Sequence, residues 1–146
     1  MTSSEDNLGK LSLYDAFKVR HTVHYFEPNE FPDDKKKIVE EIIEQVNELP
    51  TPFGHDEVKI AHYGPGLGNG RIINEKGWLV ALIPKDWDKH KKQYYTDVSF
   101  RLQMATMLLT ENRIGTAWAT ETFAASKAKR IYPKMKIPAG VAYGLV

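Results

Sequence analysis

The sequence predicts a mixed α/β chain, and three observations carry that reading. Ile38, Ile42, Ile43, Val46 and Leu49 recur at helical spacing. Glu57 to Tyr63 and Trp78 to Pro84 are short apolar runs with strand character. Tyr95 to Asn112 is a long helical pattern too apolar to lie at a surface, with Val98, Leu102, Ala105 and Leu109 on one stripe and Phe100, Met104, Met107 and Leu108 beside it. The 146 residues correspond to one domain with room for a sizeable core.

Taken in chain order, residues 1–10 are polar, carry no apolar stretch after a basic start and predict a disordered tail rather than a signal peptide, leaving 11–146 as the domain. Leu11, Leu13, Tyr14, Phe17 and Val19 then predict a short helix ending near Arg20, with Ser12 as its N-cap. Val23 to Phe26 is apolar and aromatic, and Pro28 to Pro32 must be loop because each proline restricts its neighbour. Asp33 and Asp34 open the amphipathic helix that Pro50 ends, with Lys35, Lys36 and Lys37 on its solvated face.

Val58, Ile60 and His62 alternate against polar neighbours in the first strand. A flexible hairpin loop, Gly64 to Gly70, separates it from the second. After the long helix Gly115 is the expected left-handed cap, Ala124 to Ile131 predicts a short helix, and Ala139 to Val146 predicts a strand.

Twenty Lys and Arg against nineteen Asp and Glu leave a charge of +1, which gives nucleic acid and anionic membrane no electrostatic claim as partners. Cysteine is absent, so disulfides, thiolate metal sites and cysteine nucleophiles are excluded, and a reducing, cytoplasmic setting is expected. No apolar run reaches the roughly eighteen residues of a membrane helix.

The glycine loop resembles a phosphate cradle only superficially, because no helix opens after it. His21, His24, His55 and His62, with Asp56 and Glu57, could supply metal ligands but lack paired helical spacing. No Gly-x-Ser-x-Gly elbow occurs. Arg20-His21-Thr22-Val23-His24-Tyr25-Phe26 is the segment best suited to an anion, since a guanidinium fork, a hydroxyl and two imidazoles can all donate. The same residues also suit a capped helix end with surface histidines.

That segment resembles the N-terminal signature of FMN-dependent nitroreductases, in which Arg, Arg or His, Ser or Thr, an apolar residue, a basic residue, any residue and an aromatic stand in succession. Arg20, His21, Thr22, Val23, His24 and Phe26 fill those places. Thr96 to Trp118 resembles the family's central helix and its Gly-Leu-Gly-Thr-Cys-Trp type ending, here Asn112-Arg113-Ile114-Gly115-Thr116-Ala117-Trp118. Thr122-Phe123 and Ile137 to Gly144 resemble the C-terminal pattern of the subfamily typified by a Thermotoga protein.

The resemblance implies an α+β fold with a mostly antiparallel sheet flanked by helices. It also implies non-covalent FMN, NAD(P)H as electron donor, a small-molecule acceptor such as a nitro-aromatic or quinone, and a homodimer, to which exposed apolar surface on the Val98 to Leu109 helix would contribute. By the same resemblance, Arg20 and Thr22 contact the flavin phosphate, His21 the ribityl or phosphate region and His24 the pyrimidine edge. The backbone of Ala119, Thr120 and Glu121 approaches the central ring.

The sequence departs from the family at Pro50-Thr51-Pro52-Phe53-Gly54-His55-Asp56, where a flavin-contacting Asn is missing. Ala117 replaces the cysteine, and Thr120-Glu121 replaces a small turn. The chain is also shorter than is common in the family, which suggests loss at the C-terminus. The alternative is a half-sized module that has lost flavin and acts as a binding or assembly partner.

Overall fold

The computed structural model describes residues 11–13, 15–16, 22–85, 87–120 and 123–146. The expected tail, most of the first helix, Arg20, His21, Glu121 and Thr122 lie outside the described residues. Where that first helix begins, the Asp15 N–H donates to Ser12 Oγ at 3.1 Å. This is the N-cap bond expected of Ser12.

The remaining elements are α1 (Asp33–Glu48), β1 (Lys59–Tyr63), β2 (Gly77–Pro84), a 3-10 turn (Trp87–His90), α2 (Lys91–Glu111), β3 (Gly115–Ala119), α3 (Ala125–Lys129), β4 (Met135–Lys136) and β5 (Gly140–Gly144). All strand pairings are antiparallel. The sheet runs β1-β2-β5-β3, with β4 paired to the end of β2. No described helix is long and apolar enough to cross a membrane.

β2 is apolar along its length because it is buried on both faces. Leu79, Ala81 and Ile83 face a core shared with α1 and α2. Trp78, Val80 and Leu82 face a second core with Phe26, Ala117, Phe123 and Ala142. The period of two sorts these neighbours onto opposite sides. The β1 edge is closed by α1, where the Asn47 side chain bonds both the N–H and the C=O of Ile60 at 2.8 Å. Two backbone groups that would otherwise template a further strand are thereby satisfied.

Several expectations are corrected. The long helix begins at Lys91 rather than Tyr95, because Lys91, Lys92 and Gln93 favour helix without adding to the apolar stripe. The stripe itself, Val98, Leu102, Ala105 and Leu109, is buried within the chain and is not an exposed face, while Phe100 points outward and is exposed.

Arg113, with φ 58°, takes the left-handed position expected of Gly115. Gly115 instead opens β3, where a Cβ would run into Val146 Cγ1. Lys35 is half-buried and donates to the Asn112 carbonyl at 3.0 Å, capping α2 rather than facing water. The glycine loop is anchored, since Leu67 is fully buried and its carbonyl accepts the Ala124 N–H at 2.7 Å.

Two charged side chains one turn apart on α2 are also buried. Arg101, 1% exposed, donates to the carbonyls of Leu49 (2.7 Å), Asp56 (3.0 Å) and Val58, and its guanidinium lies 3.5 Å from the Asp56 carboxylate. Asp97, 0% exposed, accepts the N–H groups of Phe53 at 2.8 Å and His55 at 2.9 Å. Together they pin the loop between α1 and β1.

Replacing Asp97 by Ala is expected to cost about 3 kcal/mol, the loss of two charge-assisted bonds, with Asp97→Asn intermediate because only one oxygen still accepts. Urea unfolding checks this. A loss below about 1 kcal/mol, the worth of one ordinary hydrogen bond, would show that the loop holds itself.

Candidate functional site

Phe26 ties the N-terminal segment to the sheet. It is 0% exposed. A Cβ on Gly144 would lie 2.8 Å from its ring, and one on Gly115 would lie 3.2 Å away. Both strands therefore give up a side chain where this ring lies. The backbone around it is bonded into the sheet: Val23 N–H donates to the Thr116 carbonyl at 2.9 Å, Phe26 N–H to Ile73 at 2.8 Å and Glu27 N–H to Leu145 at 2.9 Å. Thr22 forms a parallel bridge with Thr116.

Two stretches far apart in sequence, Thr22 to Phe26 and Gly115 to Trp118, thus form one structural unit. The polar side chains of the first stretch face outward, whereas Thr116 in the second is buried. Thr22 and His24 are exposed, as is Tyr25 at 70%. The His24 carbonyl accepts the Ile73 N–H at 2.8 Å, so its backbone is fixed while its ring faces solvent. A hydroxyl and an imidazole presented in this way suit hydrogen bonds to a phosphate and to the polar edge of a heterocycle.

At the other end of β3, Ala119 is buried opposite Gly140, and Thr120 leaves the sheet exposed. A Cβ on Gly140 would lie 3.1 Å from Trp78 and 3.2 Å from Phe123, whose rings stack at 5.5 Å. This packing supports the Ala119–Thr120 turn from beneath. Among the candidate residues, Thr22, His24, Ala119 and Thr120 are therefore borne by a single strand, β3, and the segment bridged to it.

Comparison with solved structures places this architecture. A nitroreductase family protein from Clostridium novyi NT superposes with a TM-score of 0.72 at 18% identity, over 92% of this chain and 85% of that one. A protein from Desulfovibrio desulfuricans solved in complex with FMN gives 0.70 at 12%, over 90% and 84%. An FMN-dependent nitroreductase from Clostridium difficile R20291 gives 0.68 at 14%, over 89% and 85%.

This is the nitroreductase fold.

No family model and no curated protein matches by sequence. The chain spans most of each of these solved chains, which does not favour the half-sized module.

Sequence reasoning missed a further pair of functional groups on this nitroreductase fold. Tyr143 Oη and His62 Nε2 lie 2.7 Å apart. The phenol fits because Gly77 faces it: a Cβ there would lie 2.5 Å from Oη. The alternation Val58, Ile60, His62 is the available signal, since it puts His62 on the same face of β1 as the buried Val58 and Ile60, at its exposed end. Elsewhere, His55 Nδ1 lies 3.3 Å from Glu57 and its ring stacks on Tyr94 at 4.3 Å. Among the described residues no three His, Asp or Glu side chains converge as a metal site would require.

Burial lowers the His62 pKa from its ordinary 6.5, with the nearby Glu40 carboxylate acting in the opposite sense. Burial, aided by Glu40, pushes the Tyr143 phenol up to about 12. A lowered histidine means the unfolded chain binds more protons in acid, so its stabilisation is present above pH 6.5 and is lost as pH falls through the folded value. A raised phenol contributes stability below pH 10 that is lost between 10 and about 12.

The melting temperature is therefore expected to fall on both limbs. His62→Gln should flatten the acid limb. Tyr143→Phe should flatten the alkaline one and cost about 1 kcal/mol at neutral pH through the lost hydrogen bond. Thermal melts across pH check both slopes, and unchanged slopes in the variants would assign the titration to other groups.

Proposed function

We propose that this chain is an FMN-dependent oxidoreductase that passes hydride from NAD(P)H to a small acceptor such as a nitro-aromatic or quinone. The observation that carries the reading is the seating of Phe26 over Gly115 and Gly144, which joins both family-like segments into one edge bearing Thr22 and His24. The FMN complex and the FMN-dependent enzyme among the structures of like fold support it.

Bound FMN would supply the hydride-accepting chemistry, and the chain's part is to hold and tune it. Arg20 and Thr22 would hold the phosphate and His21 the ribityl or phosphate region. His24 would donate to the pyrimidine edge, where negative charge gathers on reduction, and a donor there favours the reduced form. The backbone amides of Ala119, Thr120 and Glu121 would face the central ring. A homodimer in the cytoplasm completes the reading.

The test is an absorbance titration of purified protein with FMN, followed by anaerobic NADPH or NADH. The expected result is a perturbed flavin band that bleaches, with affinity falling roughly tenfold in Thr22→Ala, about the worth of one hydrogen bond to a charged group. Because Thr22 is exposed, the variant should keep its fold, which circular dichroism verifies. No flavin uptake, or uptake indifferent to Thr22, would overturn the assignment.

A further inference from the structure

The segment between the glycine loop and β2 is bonded to both halves of the proposed flavin edge. Ile73 bridges Tyr25 in parallel register. Its N–H donates to the His24 carbonyl at 2.8 Å, and its own carbonyl accepts the Phe26 N–H at 2.8 Å. Asn74 adds a side-chain bond, from its amide to the Phe26 carbonyl at 3.2 Å. The next two residues are tied to the sheet instead. The Glu75 carboxylate accepts the indole N–H of Trp78 at 3.0 Å, and the Lys76 N–H donates to the Tyr143 carbonyl at 2.7 Å. Trp78 is fully buried, and its ring stacks with Phe123 beneath the Ala119–Thr120 turn.

Asn74 also stands in the left-handed region, at φ 63°. Glycine takes that conformation at less cost, and asparagine tolerates it chiefly through local hydrogen bonds. Here the half-buried amide reaches a carbonyl forty-eight positions away. A turn that needed only the backbone angle would have no use for that long-range bond.

We infer that Asn74 is a positioning residue for His24. Trp78 is the fixed point, Glu75 holds the chain to it, and Asn74 carries that hold across to the Phe26 carbonyl. The backbone from which the exposed His24 imidazole projects is thereby set relative to the core that supports the Ala119–Thr120 turn. The inference rests on the flavin reading, in which His24 donates to the pyrimidine edge. A donor is effective only within a narrow range of distance and angle, and a ring on an exposed segment keeps that geometry only if its backbone is held.

A double-mutant cycle on FMN affinity, read by quenching of flavin fluorescence, tests the inference. His24→Ala should weaken FMN roughly five- to ten-fold, the worth of one hydrogen bond. Asn74→Gly keeps the backbone angle and removes the amide, and it should forfeit most of the same bond, roughly three- to five-fold. In the Asn74→Gly background, His24→Ala should cost less than about two-fold, whereas independent residues would multiply their separate losses. Asn74→Asp tolerates the same backbone angle but sets an acceptor against the Phe26 carbonyl, so it should reproduce Asn74→Gly. Glu75→Ala should couple to His24 in the same way. Glu75→Gln, whose amide oxygen still accepts the indole N–H, should stay within about two-fold of the wild type.

Without FMN, Asn74→Gly should shift the 15N-labelled amide signals of His24 to Phe26, while circular dichroism shows the fold retained. Unshifted signals, multiplied losses in the cycle or wild-type affinity in Asn74→Gly would overturn the inference and leave the flavin reading intact. Failure of the wild-type protein to take up FMN would overturn both.

Discussion

The buried guanidinium of Arg101 constrains much of the rest of the structure. A charge taken out of water must be met by partners, and here the partners are backbone carbonyls at the end of α1 and along the approach to β1. Meeting that requirement fixes where α1 stops relative to α2 and where β1 enters the sheet. Asp97 does the complementary work one turn earlier, collecting N–H groups from the same loop. The path of that loop is held by these two α2 side chains together with its own turn bonds, such as Gly54 N–H to the Thr51 carbonyl.

From that fixed geometry the glycines acquire their meaning. Gly144 and Gly115 leave room for Phe26, and Gly77 leaves room for the Tyr143 phenol. Each sacrifices packing on its own strand so that an aromatic ring from elsewhere can lie against the backbone. The first arrangement binds the N-terminal segment to β3. The second sets a hydrogen-bonded phenol–imidazole pair between β5 and β1.

Periodicity makes the elements legible. α1, both central strands and the buried stripe of α2 can be read from apolar spacing, since the burial that stabilises them is the same burial that patterns them. Features outside that pattern are hidden from it. Lys91 to Gln93 carry helix propensity without apolar signal, so spacing alone starts α2 too late. The left-handed residue after α2 is Arg113 because Gly115 is needed without a side chain in β3, a tertiary demand that outranks local turn preference. Asp97 and Arg101 stand four apart on the apolar face of α2, and charges in that place are the available sign of a buried clamp. The candidate site is legible only through a recognisable motif. Thr22 and His24 have no pattern that distinguishes them from surface residues, and nothing local in the sequence says that Phe26 will meet Gly115. Tyr143 and His62 pair across the sheet from strands eighty-one positions apart, a contact set by strand order alone.

The central claim is that the Thr22 to Phe26 segment and β3 form one flavin-binding edge. Amide shift mapping of the 15N-labelled protein on addition of FMN tests it most directly. The account requires perturbations concentrated at Thr22 to Tyr25 and around Ala119 to Phe123, with Glu40 and His62 unmoved. Shifts centred on α1, or none along β3 at saturating FMN, would contradict it.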